Sequence, residues 1–329
     1  MMGTKLLEIN DICKRFDGAD VNAVDHVSLA VEEGDFVTIL GTSGSGKTTL
    51  LKLINRIHEA TSGDILYKGQ SIYSLNGEDY RKQIGYVIQQ GGLFPHWTVA
   101  ENISTVPKLL KWDKEAIKDR VDEVLKLVRL EPEKYADRYP AKLSGGEQQR
   151  VGIARAMAAK PELMLMDEPF GALDAITRKG LQEGLLRLQK QIKTTIVFVT
   201  HDVSEALMLG NKIIVMDGGR LQQYDTPYRI IMHPANDFVE KLIKTAGNFY
   251  DKMAVITAGD YLRDIQSLDN RHSEQADFDI ESTEDEAINT IYSMLIGGNS
   301  PACGIRNNGG EITGAITRDE VIELASELA

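Results

Sequence analysis

The residues with the clearest chemical signal lie at positions 41–48, in the order Gly-Thr-Ser-Gly-Ser-Gly-Lys-Thr. Glycines let the backbone adopt positive φ angles and approach an anion closely, so successive N–H groups can point at phosphate oxygens. Lys47 would contact the β- and γ-phosphates of a nucleotide, and the Thr48 hydroxyl would bind Mg²⁺. The same letters also fit a chance glycine turn. However, a strand-like run at 36–40 and a helical run at 49–54 flank them, as a phosphate loop requires.

Two carboxylates end another apolar run. Residues 163–166 are Leu-Met-Leu-Met, which is typical of a parallel strand buried on both faces, and Asp167 and Glu168 follow them. Open α/β sheets bind their ligands at the carboxyl ends of the strands. Asp167 would hold Mg²⁺ through its waters, and Glu168 would polarise the water that attacks a γ-phosphate. The alternative is a solvated charge pair at a strand end.

Three single residues are candidates for a functional role because of their positions at strand ends or turns. His201 follows the apolar run 195–200 and could donate to a γ-phosphate or to the attacking water, although a lone histidine is more often structural. Gln89 lies at the end of the strand-like run 84–90 and could bind Mg²⁺ or orient a water, although an isolated glutamine is more often a turn residue. Phe16 lies on the first turn, where stacking on adenine and packing at a strand end are equally compatible with the sequence.

A second candidate anion site lies at residues 144–146, Ser-Gly-Gly, which open a helical stretch at 148–159. One nucleotide has one triphosphate, and Lys47 already contacts it. We therefore expect this helix start to face a nucleotide held by another copy or partner. In isolation, Ser-Gly-Gly also fits a common flexible turn.

The elements that position these residues alternate between strand and helix patterns, which predicts an α/β protein. Strand patterns come first along the chain and helical periodicity follows the phosphate loop. The strand-like stretches are 5–12, 23–31, 36–40, 65–67, 84–90, 163–167 and 195–200. The helical stretches are 49–54, 101–130, 148–159 and 175–190.

Composition and length bound the class of protein. With 42% hydrophobic and 26% charged residues the chain has the composition of a soluble globular protein, and its 329 residues predict about two domains. Its longest apolar runs are strand-length and its start lacks the apolar core of a signal peptide, so we expect neither a membrane span nor a leader. Cys13 and Cys303 lie far apart without metal-ligand spacing, which favours buried or unreactive thiols in a reducing cytoplasm.

The negative charge is concentrated near the C-terminus. Residues 245–329 contain 5 Lys and Arg against 16 Asp and Glu, whereas the whole chain has a formal net charge of −12. An acidic segment of this kind is repelled by nucleic acid at low salt. Nucleic acid is therefore not an expected partner.

In order and spacing, these motifs resemble the nucleotide-binding subunit of an ABC transporter, and the likeness covers about residues 5–240. The stretch 143–150, Leu-Ser-Gly-Gly-Glu-Gln-Gln-Arg, is specific to that family. The resemblance implies a P-loop NTPase cassette with a RecA-like core, an antiparallel β subdomain and a helical subdomain. It also implies an ATPase in which two subunits, here expected to be a homodimer, hold two ATP molecules head to tail.

The resemblance implies a role for each matching residue. Glu168 matches the general base, His201 the switch histidine, and Gln89 the glutamine that links the nucleotide state to the membrane subunits. Mg²⁺ ligands are implied at Thr48, Gln89 and Asp167. Contacts with ATP are implied at Phe16, Gly41, Ser43, Gly44, Ser45, Gly46, Lys47, Thr48 and Thr49, and across the dimer interface at Ser144, Gly146 and Asp174.

Residues 84–103 and 224–239 resemble those of importers for glycine betaine, carnitine and choline. This likeness implies membrane permease subunits and an extracytoplasmic solute-binding protein as partners, with the chain at the cytoplasmic face of the membrane. One alternative is the ATPase subunit of an ABC transporter for another solute. A second is a soluble ABC ATPase acting on DNA or ribosomes, which the single cassette and the lack of a heptad insertion disfavour.

The C-terminal part is predicted to be a separate small α+β module. We expect the cassette to cover residues 1–240, a linker and irregular acidic region to cover 241–278, and a single CBS-like motif to cover 279–329, with residues 314–321 as its clearest match. CBS motifs usually work in pairs, so the preceding region could be a degenerate partner, or pairing could occur between subunits. A small dimerisation appendage is the alternative.

Overall fold

The computed structural model describes residues 4–89, 92–171, 173–245, 247, 249–268, 278–298 and 300–328. The chain forms two compact units, one made of residues 1–201 with 209–224 and the other of residues 202–208 with 225–329. None of the helices in the described ranges has the length and apolar content that a membrane crossing requires.

The secondary structure follows the alternation expected from the sequence. The strands are β1 (Lys5–Lys14), β2 (Val24–Glu32), β3 (Phe36–Gly41), β4 (Ser62–Tyr67), β5 (Gln70–Ser71), β6 (Ile84–Val87), β7 (Leu163–Asp167), β8 (Thr195–Val199), β9 (Lys212–Asp217), β10 (Arg220–Asp225), β11 (Ile280–Thr283), β12 (Ala302–Arg306) and β13 (Ile312–Thr317). The helices are α1 (Lys47–Ile54), α2 (Gly77–Lys82), α3 (Val99–Ile103), α4 (Thr105–Leu109), α5 (Lys114–Leu127), α6 (Pro132–Tyr135), α7 (Gly145–Met157), α8 (Ala175–Ile192), α9 (Val203–Leu209), α10 (Pro227–Met232), α11 (Asp237–Lys244), α12 (Phe249–Met253), α13 (Ala258–Leu268), α14 (Ile288–Gly297) and α15 (Arg318–Leu328), and a 3-10 turn covers Pro140–Lys142.

A six-stranded sheet in the order β10-β9-β3-β8-β7-β6 is the centre of the first unit. Its neighbours β3 and β8, β8 and β7, β7 and β6, and β3 and β9 are parallel. Every residue of β3, β7 and β8 is buried. Strands covered on both faces read as continuous apolar runs, which is why they could be recognised in the sequence.

A smaller antiparallel sheet in the order β2-β1-β4-β5 joins the core of the first unit. Its inward side chains pack with α1 and the central sheet, as Ile9, Leu50 and Val197 do in one continuous apolar cluster. Tyr80 of α2 is fully buried there, and its hydroxyl donates to the carbonyl of Ile54 at 2.7 Å. This contact satisfies the last turn of α1.

Short helices between β6 and β7 form the helical part of the first unit. Val124 and Leu125 of α5 and Val151 and Ala154 of α7 belong to one buried cluster. The buried Arg120 of α5 donates to the carbonyls of Met157 and Ala158 at the end of α7, at 2.7 and 3.0 Å. A guanidinium at a helix C-terminus satisfies carbonyls that have no partner in the helix. The single helical stretch expected at 101–130 is divided into α3, α4 and α5.

In the second unit, β11 runs parallel to β12 and β12 runs antiparallel to β13. Its core includes Met253, Ile256, Ile291 and Ile305. The stretch that we expected to be irregular instead contains α12 and α13. Ala258, Tyr261, Leu262 and Ile265 of α13 follow a helical period and pack into this core, so the signal for α13 was present in the sequence. Residues 269–277 of the predicted acidic region lie outside the described residues, and the predicted boundaries at 240 and 278 stay predictions.

Candidate phosphate-binding and hydrolytic site

The candidate residues meet at one edge of the central sheet, because parallel neighbours end on the same side. Gly41 ends β3 and Asp167 ends β7, and β8, which His201 follows, lies between these two strands. Gln89 comes two residues after β6, the neighbour of β7. The fold therefore assembles this edge from four separate strand ends.

The loop between β3 and α1 needs its glycines. Gly44 and Gly46 have φ angles of 79° and 97°, in the left-handed region that side chains disfavour. A Cβ added to Gly46 would lie 2.4 Å from the carbonyl oxygen of Ala23, and one added to Gly41 would lie 2.2 Å from that of Met216. The backbone is therefore packed against its neighbours at a distance that only glycine permits.

Lys47 and Ser45 contribute the buried polar atoms of the loop. The Lys47 ammonium donates to the carbonyls of Gly41 and Thr42, both at 2.8 Å, and burial lowers the pKa of Lys47. The buried Ser45 hydroxyl finds no hydrogen-bond partner among the described residues. Buried polar atoms are rarely left unpaired, so an oxygen from a ligand is the expected partner of Ser45.

Thr48 and Asp167 form a pair of oxygen donors beside the loop. The Thr48 hydroxyl donates to Oδ1 of Asp167 at 2.9 Å. Burial of Asp167 raises the pKa of its carboxyl, whereas the hydrogen bond from Thr48 lowers it. Hydroxyl and carboxylate oxygens are ligands that Mg²⁺ prefers.

Glu168 is held by two partners from other strand ends. The Gln89 amide donates to Oε2 of Glu168 at 2.7 Å, and Nδ1 of His201 lies 3.3 Å from Oε1. Glu168 has a φ of 45°, an uncommon backbone conformation for a residue with a side chain. The structure thus unites all three residues that the sequence analysis singled out for hydrolysis.

The other predicted residues have no hydrogen bond to Glu168 among the contacts of the described residues. Ser144 caps α7 and Asp174 caps α8, with side-chain oxygens that accept from Glu147 N–H at 3.3 Å and Thr177 N–H at 3.0 Å. Both caps are exposed, and Phe16 is 39% exposed with its ring edge against His58. Of the remaining predicted contacts, Ser43 is exposed in the loop, and Thr49 and Gly146 are half-buried in α1 and α7.

Two supporting residues were not given a role from the sequence. Glu147 accepts from Ser144 N–H and from the Tyr135 hydroxyl, both at 2.7 Å, and these hydrogen bonds lower the pKa of Glu147, the one from Tyr135 most. The Ser-x-x-Glu spacing is the signature of a capping box and could have identified it. Asp217 accepts from the Thr42 hydroxyl at 3.2 Å, and no local pattern in the sequence indicates that contact.

The residues present fit a nucleoside triphosphate with Mg²⁺. The glycine loop offers backbone N–H groups and the Ser45 hydroxyl to phosphate oxygens, while Thr48 and Asp167 offer oxygens to the cation. Glu168 is a carboxylate that could accept a proton next to them.

Replacing Gly46 by Ala is expected to weaken nucleotide binding and to lower the free energy of unfolding, because the methyl group would meet the carbonyl of Ala23. Gly44→Ala is the matched control, since Gly44 also has positive φ but open space around its Cα. The backbone strain shared by both variants costs about 1–2 kcal/mol. Chemical denaturation and nucleotide titration should show a larger loss for Gly46→Ala; equal losses would contradict the close approach.

Comparison with known proteins identifies the family. A family model described as ABC transporter matches residues 24–171. The glycine betaine/carnitine/choline transport ATP-binding protein OpuCA of Bacillus subtilis (strain 168) is 50% identical over 238 residues, which are 72% of this chain and 62% of that protein. The glycine betaine uptake system ATP-binding protein YehX of Escherichia coli (strain K12) is 46% identical over 264 residues, 80% of this chain and 85% of that protein.

A solved structure of an ATP-binding cassette is also similar to this chain. The dimeric post-hydrolysis state of an ATP-binding cassette bound to ADP and Pi is 34% identical with a TM-score of 0.62, and the match covers 67% of this chain and 98% of the other. The chain spans about three fifths of the Bacillus relative, 62%. The α/β P-loop cassette predicted from the sequence is confirmed, together with an additional β/α region at the C-terminal end. The chain belongs to the family of ABC transporter ATP-binding proteins.

Proposed function

We propose that the chain is the ATP-hydrolysing subunit of an ABC importer that takes up a quaternary-ammonium osmoprotectant such as glycine betaine, carnitine or choline. The observation that carries the enzymatic part is the position of Glu168, held by Gln89 and His201 beside the Thr48–Asp167 pair. A carboxylate next to magnesium ligands is the arrangement that water attack on a γ-phosphate needs.

In this proposal each site residue has a separate role in binding or hydrolysing ATP. Lys47 and the loop amides bind the phosphates, and Thr48 and Asp167 hold Mg²⁺, with Gln89 as a third ligand when the cation is present. Mg²⁺, when bound, neutralises the charge that develops on the phosphate oxygens. Glu168 accepts the proton of the attacking water, and His201 orients that water or the γ-phosphate. Phe16 stacks on adenine in this proposal, which its 39% exposure beside the β1–β2 turn supports.

We further propose that the working unit is a homodimer in which Ser144, Gly146 and Asp174 contact the ATP of the partner. The capping box engages the N–H groups of Ser144 and Glu147, and the N–H groups of Gly145 and Gly146 between them lie at the start of an exposed helix, where an anion from another subunit would bind. The solved dimer of a similar cassette supports this arrangement by analogy.

The proposed setting is the cytoplasmic face of the membrane, with permease subunits and an extracytoplasmic solute-binding protein. Relatives named for glycine betaine, carnitine and choline support this choice of solute. The C-terminal order β11-α14-β12-β13-α15 supports a CBS-like module, and a dimerisation appendage remains its alternative.

Reconstitution in vesicles with the cognate permease and binding protein tests the proposal. Glycine betaine, carnitine or choline should stimulate Mg²⁺-dependent ATP hydrolysis and be taken up. Stimulation by a different class of solute alone would refute the osmoprotectant assignment and leave the ATPase assignment standing. No Mg²⁺-dependent hydrolysis, with or without partners, would refute the enzymatic proposal itself.

A further inference from the structure

A second group of metal-binding side-chain types lies where β1 pairs with β2, outside the site described above. Ligand atoms of Cys13, Asp25 and His26 all lie within 4.8 Å of one another. Cys13 has no metal-ligand spacing along the chain, because the residues close to it in space come from the next strand. Antiparallel pairing of Ile12 with Val27 and of Lys14 with Val24 brings the two stretches together.

Irregular pairing between β1 and β2 changes the directions of the side chains of Cys13, Asp25 and His26. The β1–β2 register shifts between Ile9 and Ile12 and again between Ile12 and Lys14. Asp11 and His26 both have a φ of 51°, in the left-handed region. Bulges of this kind redirect side chains at sheet edges, and here they place a carboxylate, an imidazole and a thiol around one point.

His26 has the surroundings of a metal-binding histidine. Its Nδ1 lies 2.7 Å from Oδ1 of Asp11, which gives the imidazole a carboxylate partner, and the site argued for below would use Nε2 as the ligand. Histidines that bind metals usually donate their other N–H to a carboxylate, which fixes the ring and strengthens the ligand. The backbone N–H of His26 donates to Sγ of Cys13 at 3.2 Å. Hydrogen bonds to the sulfur also stabilise a metal-bound thiolate.

Asp25 supplies the third ligand, and its carboxylate already has a cationic neighbour. Its carboxylate accepts from the Asn22 amide at 2.6 Å and from the Arg220 guanidinium at 2.7 Å. The Arg220 side chain is 70% exposed, so it has room to leave the Asp25 carboxylate when a divalent cation binds there. Cys13 is 5% exposed, whereas the His26 side chain is 67% exposed, so a metal has an entry path on the histidine side.

We propose that Cys13, Asp25 and His26 bind a soft or borderline divalent transition metal, with Zn²⁺ as the best fit. Ligand atoms in a tetrahedral zinc site lie about 3.3–3.7 Å apart. The three ligand atoms here lie within 4.8 Å of one another, so they would have to approach by about 1 Å, which side-chain rotation allows. A thiolate with an imidazole favours such metals over Mg²⁺, which takes oxygen ligands. Binding releases the Cys13 thiol proton to solvent, and water fills the fourth position.

Metal titration of the full chain, purified and freed of metals with a chelator, tests this site. Zn²⁺ is titrated against a competing chelator, and Co²⁺ is added as a spectroscopic probe. We expect one Zn²⁺ per chain at this site and thiolate-to-cobalt charge-transfer absorption, both lost in Cys13→Ser. Asp11→Asn should keep that absorption but weaken zinc binding about 10–100-fold, the usual effect of removing a partner of a ligating histidine.

Cys303→Ser is the matched control, because it removes the other free, buried cysteine, whose pKa burial raises to about 11. This variant should bind like the unmodified chain. Cobalt at the Thr48–Asp167 pair cannot give the thiolate absorption, since those ligands contain no sulfur. If Cys13→Ser does not fold, His26→Asn replaces it, as His26 is exposed. Absence of thiolate absorption in the unmodified chain, its persistence in Cys13→Ser or, where that variant does not fold, its unchanged persistence in His26→Asn would overturn the proposal.

Discussion

Replacing Glu168 by Gln is expected to lower kcat for ATP hydrolysis by about 10²–10⁴-fold, the usual contribution of a positioned general base. ATP affinity should be nearly unchanged, because Lys47 and the loop make the proposed phosphate contacts. Gln is close in shape to Glu, and its amide can keep the contact with Gln89 that now measures 2.7 Å. Steady-state kinetics with a separate nucleotide titration measures the two effects. ATP should also trap the variant as a closed dimer, visible by size-exclusion chromatography.

Glu162→Gln provides the matched control for this experiment. Glu162 immediately precedes β7, at the end of the strand opposite Glu168, and its side chain pairs with Lys68 at the surface. The same chemical change there should leave kcat unaltered, since exposed ion pairs contribute little. Turnover at the unmodified rate in Glu168→Gln would show that another group serves as the base.

Mixing two inactive variants should restore hydrolysis if the catalytic unit is an interface. Lys47→Ala removes the proposed phosphate contact from one half of the site. Ser144→Arg places a bulky cation at the exposed start of α7, where it would block the ATP held by the partner. A mixed dimer contains one site with Lys47 from one chain and Ser144 from the other, both intact.

Each variant alone should be nearly inactive, and an equal mixture should recover at most about one quarter of the sites by random pairing in a two-fold dimer. Phosphate release before and after mixing measures the recovery. Ser144→Ala controls for the lost helix cap, which by itself costs about 1 kcal/mol. No recovery from a mixture that forms mixed dimers would mean that the active site lies within one chain.

The phosphate loop was predictable because its requirements are local. Positive φ at Gly44 and Gly46 follows from residue type, and the position between a buried strand and a helix follows from adjacent apolar patterns. The strands β3, β7 and β8 were recognisable for a similar reason, since burial on both faces leaves a continuous apolar run. The strand-end positions of Asp167 and His201 followed directly from those runs.

The contacts between these residues depend on tertiary structure. Gln89 and Glu168 are 79 positions apart, and their hydrogen bond exists because β6 and β7 are parallel neighbours. Only the folded backbone shows that the buried Ser45 hydroxyl has no hydrogen-bond partner among the residues that the structure describes.

The sequence by itself determined which motifs are present, their order and the α/β class. Residue types and their spacing identify the motifs, and hydrophobic periodicity indicates the class. The fold decided which distant residues meet, and it also changed two interpretations. Part of the acidic stretch expected to be irregular forms α12 and α13, whose apolar side chains pack into the core of the second unit. Cys13 gained Asp25 and His26 as neighbours because register shifts between β1 and β2 redirect side chains, which no spacing along the chain encodes.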